Sequence, residues 1–97
     1  MENDRVLLGF GEIDAQIADT AFRRDGSRLV AEYETGDFSG AVRLLDRVAE
    51  AAEEFNHHPD VRLAWGRIVF ELRSHDVGGV TARDIRLAHR IERLAAG

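Results

Sequence analysis

DFSGAVRLLDRVAEAAEEFNHHPDVRLAWGRIVFELR, residues 37–73, changes its hydrophobic period once, and that change decides the fold. Over the first half, Phe38, Val42, Leu45, Val48, Ala49, Ala52 and Phe55 recur at three and four residues, the spacing of one helical face. Asp37 stands where a side-chain oxygen can cap the first turn, so a helix is expected from there to about Asn56. His57-His58-Pro59 ends it, because a proline pushes the residue before it into extended geometry. Beyond that point the period is two. Val61, Leu63 and Trp65 alternate; after Gly66, Ile68, Phe70 and Leu72 face one way while Arg67, Glu71 and Arg73 face the other. Gly66 marks a hairpin turn or a bulge between the two strands.

The flanking segments supply the remaining elements. Upstream, Glu12 to Asp19 carries a short amphipathic helix with Ile13, Ala15, Ile17 and Ala18. Phe22 to Arg24, Asp25-Gly26-Ser27 and Arg28 to Thr35 then form strand, turn and strand, since Asp-Gly supplies the positive φ of a tight hairpin. Downstream, Gly78-Gly79 interrupts the pattern, and Thr81 with Asp84 three residues later forms a capping box. It opens a last helix that buries Ile85, Leu87, Ala88, Ile91 and Leu94. The order is α-β-β-α-β-β-α. Each strand has one apolar face, so the expected fold is α+β, a four-stranded antiparallel sheet with three helices packed on one face.

Length and composition set bounds on function. Ninety-seven residues make one domain, 1–97, with residues 1–11 expected to be a flexible N-terminus. By surface scaling such a chain folds to expose roughly 5,500 Å² of roughly 15,700 Å², enough burial for a core without staples. There is no cysteine, which removes disulfides, thiolate nucleophiles and sulfur-ligated zinc. Thirteen Lys+Arg against 18 Asp+Glu give a net charge of −5, and no basic cluster exceeds Arg23-Arg24, so direct nucleic-acid binding is not expected. No run approaches the length of a membrane span, and the first residues lack the basic start and long apolar stretch of a signal peptide. A cytoplasmic protein is the expectation.

Three of the four histidines, His57, His58 and His75, fall where regular elements end, the places where sites are commonly built. His89, alone inside the last helix, reads as an ordinary surface or hydrogen-bonded residue. Imidazole titrates close to neutrality, so one cluster can supply both an acid and a base. A metal site made of the three histidines and Glu53 is the competing reading; against it, neighbouring histidines in an extended segment point apart and no His-x-x-x-His pair occurs. Ser74 beside His75 lacks the context of a nucleophile elbow, and Gly78-Gly79 alone defines no phosphate loop.

The pattern Glu53, His57-His58-Pro59, Trp65, His75, Asp84 resembles the signature of the pterin-4a-carbinolamine dehydratases, also called 4a-hydroxytetrahydrobiopterin dehydratases. Ser74-His75-Asp76-Val77-Gly78-Gly79-Val80-Thr81-Ala82-Arg83-Asp84 is similar to that family's Thr-His-x-x-Gly-Gly-Leu-Thr-x-x-Asp run, and the likeness covers about residues 12 to 96. Departures are Asp19-Thr20-Ala21-Phe22 where Leu-Pro-x-Trp is common, Thr35 where an aromatic is usual, and Asn56 where some members carry an acid.

The resemblance implies dehydration of a 4a-hydroxytetrahydropterin to the quinonoid dihydropterin, in recycling of the pterin used by an aromatic amino acid hydroxylase. It implies His57, His58 and His75 as catalytic residues, with Glu53, Pro59, Ser74, Asp76 and Val77 contacting substrate. It further implies no metal or organic cofactor, the pterin itself being substrate, and a homodimer or homotetramer. Asp84 and Trp65 are supporting residues: Asp84 holds His75 or the loop, or acts only as a cap, and Trp65 belongs to the core rather than to a stacking platform. The alternative from another class is a non-catalytic interaction module serving dimerisation or assembly.

Overall fold

A computed structural model of the chain describes residues 4–97. Its elements are α1 (Phe10–Gln16), β1 (Arg23–Asp25), β2 (Arg28–Glu34), α2 (Phe38–Phe55), β3 (Asp60–Ala64), β4 (Arg67–Leu72) and α3 (Ala82–Ala96). The order matches the expected α-β-β-α-β-β-α. All strand pairs are antiparallel, in the spatial order β1-β2-β4-β3, so β4 joins the two hairpins through its pairing with β2. Phe70 stands opposite Ala31 on one side and Val61 on the other. The alternation read from the sequence puts Ile68, Phe70 and Leu72 wholly inside, together with Leu29 and Ala31 of β2. They meet Leu44 and Val48 of α2 and Leu87, Ala88 and Ile91 of α3. Each large apolar side chain so buried contributes about 1.5–3 kcal/mol of transfer free energy.

Helix α2 starts as expected, with Asp37 Oδ1 accepting from the Gly40 amide at 2.7 Å. Its buried residues are Ala41, Leu44, Val48, Ala51 and Ala52; of the expected stripe Val48 and Ala52 are buried, Leu45 and Phe55 pack partly against the core, and Phe38 and Ala49 are exposed. Helix α1 begins two residues before Glu12 and ends at Gln16, held to β1 by Arg24, which binds Asp14 at 2.9 Å and lies 4.2 Å over the Phe10 ring. In the first hairpin Asp25 is the last paired residue, and Gly26 with φ +61° makes the turn with Ser27. Phe22 is buried edge-on against Tyr33.

One expectation is corrected outright. Trp65 is not in the core: it is 75% exposed. Ala64 pairs with Arg67, leaving Trp65 and Gly66 (φ +78°) as the two turn residues of a hairpin, and alternation stops where a turn begins. Of the segment 1–11, residues 1–3 lie outside the described residues. Within the rest, the Leu8 amide donates to Val80 O at 3.0 Å and Arg5 pairs with Asp76 at 3.6 Å, both on the stretch that follows β4.

Candidate active site

Two chain reversals build the site. The first closes α2: Asn56 adopts the left-handed conformation (φ 51°), the Asn56 amide donates to Glu53 O at 3.2 Å and the His57 amide to Ala52 O at 3.0 Å. This is the Schellman arrangement, with asparagine at the position glycine most often takes. The reversal folds His57 back against the protein, where it is 9% exposed, and sends His58 outward. The second reversal follows β4. Ser74 N donates to Gly79 O at 2.8 Å and Gly78 N to Ser74 O at 2.9 Å, a tight loop with Gly78 at φ +72° that lifts His75 and Asp76 to its tip.

Both reversals open on one cleft of about 250 Å³, lined by His57, His58 and His75 with Asn56, Arg73, Ser74, Asp76 and Arg83. Beneath it lies Asp84, completely buried. Asp84 Oδ1 accepts from His57 Nε2 at 2.6 Å, while Oδ2 accepts from Ser74 Oγ at 2.8 Å and from the Thr81 amide at 2.9 Å. The last bond completes the capping box of α3. One carboxylate thus ties the two reversals to a helix terminus. A carboxylate offers only acceptors, so His57 meets it with Nε2–H and turns Nδ1 away from it. Of the roles expected for Asp84, holding the loop, through Ser74, and capping α3 are the ones found; the histidine it holds is His57 and not His75, which is exposed and makes no side-chain hydrogen bond among the described residues.

Glu53 bonds His58, Oε2 accepting from Nε2 at the surface. The left-handed Asn56 delivers this second histidine to Glu53. The Asp76 carboxyl is held below the ordinary carboxylate range chiefly by its hydrogen bond from Arg83 (2.8 Å), with Arg5 adding to the effect. Pro59 and Glu53 line an adjoining apolar groove of about 340 Å³ that shares His58 with the cleft. Val77 and Trp65 do not line the cleft. His89 Nε2 bonds Gln16 O at 2.7 Å, as a structural residue does. Among the described residues no three His, Asp or Glu side chains converge as a metal ligand set. Arg73 and Arg83 are not singled out by the sequence; Arg73, directly before Ser74-His75, reads there as one more outward charge in line with Arg67 and Glu71, and it lies just past the end of β4.

Known proteins share this sequence pattern and this fold. A family model described as pterin 4 alpha carbinolamine dehydratase matches residues 10–94. A protein of Nocardia farcinica (strain IFM 10152), provisionally named pterin-4-alpha-carbinolamine dehydratase, is 44% identical over 72 residues, covering 74% of this chain and 76% of its own. One of the same provisional name from Thermosynechococcus vestitus is 39% identical over 89 residues, 91% of this chain and 94% of its own. The crystal structure of a transcriptional coactivator/pterin dehydratase from Brucella melitensis superposes with a TM-score of 0.87 at 25% identity, over 93% of this chain and 99% of that one. A pterin dehydratase-like protein identified as a RuBisCO assembly factor shares the fold at a TM-score of 0.64 and 19% identity, over 80% of this chain and 90% of its own. Fold, signature and relatives agree: the chain belongs to the pterin 4 alpha carbinolamine dehydratase family.

Proposed function

We propose that the chain removes water from a 4a-hydroxytetrahydropterin to give the quinonoid dihydropterin, with histidines carrying the protons. The observation that carries this reading is the single cleft lined by His57, His58 and His75, one of them braced by a buried carboxylate. The C4a–O bond breaks as a proton reaches the hydroxyl oxygen, so water leaves instead of hydroxide, whose conjugate acid has a pKa of about 15.7. N5 loses its proton, and the C4a=N5 double bond forms. Positioned proton donors and acceptors contribute on the order of 10² to 10⁴ in rate.

His57 and His75 flank the reacting carbon and exchange these two protons. His57 acts through Nδ1, since its other nitrogen is committed to Asp84. His58, held by Glu53, orients the pterin, with Ser74 and Asp76 on the cleft wall, Pro59 fixing the histidine pair, and Val77 shaping the loop. The pterin is substrate, no further cofactor takes part, and the reaction serves a cytoplasmic aromatic amino acid hydroxylase. Among the described residues no helix is long and apolar enough to cross a membrane. Purified protein mixed with a 4a-hydroxytetrahydropterin is expected to speed loss of its absorbance, and His57→Ala and His75→Ala to slow it about 10²-fold or more. A wild-type rate equal to that of buffer would end this reading.

The second reading, an interaction module, draws on the exposed Phe38 and Trp65 and on the apolar groove beside α2 lined by Ala49 and the partly buried Leu45. The Brucella melitensis relative is described as a coactivator as well as a dehydratase. Self-association into a dimer or tetramer would cover such surfaces and the edge strands β1 and β3. Turnover by the purified protein, which a non-catalytic module lacks, separates the two roles.

A further inference from the structure

Arg73 stands on the wall between the histidine cleft and a second cavity of about 130 Å³, lined also by Arg28, Asp60, Glu71 and His75. Other cations on these walls are already paired. Arg28 binds Asp25 and Glu71, and Arg83 binds Asp76. Among the described residues Arg73 has no carboxylate partner, and its Nε is buried without a hydrogen bond. Its guanidinium reaches over the loop that carries His75, with Nη2 at 3.7 Å from the point where a Cβ on Gly78 would stand. A buried N–H left unpaired is costly, and a guanidinium forms its best bonds as a planar fork to a carboxylate or phosphate.

We infer that Arg73 is a specificity-determining residue that takes an oxyanion, carboxylate or phosphate, carried on the side chain of the pterin. The inference rests on the dehydratase reading and adds the substrate's chemical class: with the ring between the histidines, the substituent enters the second cavity past His75 and meets Arg73. Asp60, which pairs with no cation among the described residues, faces the same cavity. Its repulsion holds the expected preference to about tenfold, or about 1.4 kcal/mol.

The test measures binding of unreactive dihydropterins by calorimetry, so that it stands apart from turnover. Three ligands are compared: 6-hydroxymethyl-7,8-dihydropterin, its phosphate ester, and 7,8-dihydropterin-6-carboxylate. Wild type is expected to bind at least one anionic ligand about tenfold more tightly than the neutral one, and which of the two gains identifies the oxyanion. Arg73→Gln is expected to reduce the anionic-to-neutral affinity ratio to about one, Arg73→Lys to keep part of it, and added salt to shrink it in wild type. A ratio near one in wild type, or an equal ratio in Arg73→Gln, overturns the inference. If the neutral pterin is bound and its 4a-hydroxy form dehydrated without an anionic preference, only the role of Arg73 fails. Binding of none of the three ligands overturns both this inference and the dehydratase reading.

Discussion

Replacing Asp84 by asparagine separates the structural from the chemical work of one buried carboxylate. The two oxygens of Asp84 meet three donors: His57 Nε2 on one, Ser74 Oγ and the Thr81 amide on the other. An asparagine must turn its NH₂ toward one side. Against the Thr81 amide it would set donor against donor, which nothing can relieve. Against His57 the clash is relieved when the imidazole moves its proton to Nδ1 and accepts at Nε2. The capping bond therefore survives, and the loss is that of exchanging bonds to a charged acceptor, about 1.5–3 kcal/mol each, for neutral ones of about 0.5–1.5 kcal/mol. Relief from burying a charge offsets part of this, leaving a net cost of about 1–2 kcal/mol. Activity suffers more, because the lone pair of His57 now points at the introduced carboxamide and away from substrate. A loss of about 10² to 10⁴ in kcat is expected. Asp84→Ala strands the Thr81 amide, Ser74 Oγ and the His57 ring N–H while leaving the Thr81 side-chain cap on Arg83 N in place, for about 2–4 kcal/mol. Urea unfolding gives the stabilities, and ¹H–¹⁵N correlation of the ring gives the tautomer. A folded Asp84→Asn protein within about fivefold of wild-type activity, or one whose His57 still carries its proton on Nε2, refutes the reasoning.

Tyr33, the single tyrosine, donates to Glu92 Oε1 at 2.7 Å, and burial, reinforced by Glu92, raises its pKa well above the ordinary value. The fold therefore favours the protonated phenol. Its contribution is fully present below the unfolded value of about 10 and is lost as pH rises toward the folded one. Phenolate absorbance should appear only together with loss of circular dichroism, and its appearance near pH 10 in folded protein would contradict this. A Cβ on Gly40 would lie 2.3 Å from the Thr35 carbonyl oxygen, so Gly40→Ala is expected to cost about 1–3 kcal/mol in denaturant unfolding. Gly79→Ala meets only the movable end of Leu7, at 2.8 Å, and should cost under about 1 kcal/mol by the same measurement. Asn56→Ala, placing a Cβ-bearing residue without asparagine's local bonding in the left-handed region, should lose roughly 1–2 kcal/mol, whereas Asn56→Gly keeps wild-type stability or exceeds it.

What can be read from the sequence is what is local. The period-two runs at Ile68, Phe70 and Leu72 and the Thr81–Asp84 capping box depend on neighbours in the chain, and they stand where they are expected. Trp65 is misplaced by the pattern because alternation carries no information on where a strand turns; register does, and it is set by the Ala64–Arg67 pair. The buried face of α2 shares Val48 and Ala52 with the expected stripe but is centred nearer Ala41, Leu44 and Ala51, because that helix is apolar over a broad arc and only its tertiary partners select the part that is buried. The histidine cluster is visible as residue types at element ends. Its wiring is not: Asp84 reaches His57 across 27 residues, and Glu53 reaches His58 only because Asn56 turns left-handed. Arg73 looks like an ordinary outward charge, since its lack of a carboxylate partner is a property of the folded wall.

The central claim is that one pterin lies among His57, His58 and His75. It is tested most directly by following the four histidine ring signals while a 7,8-dihydropterin is added. The account predicts that the rings of His57, His58 and His75 shift together along one saturating curve while His89, bonded to Gln16 O, stays in place. Shifts confined to one of the two chain reversals, or no shift at saturating ligand, would contradict it.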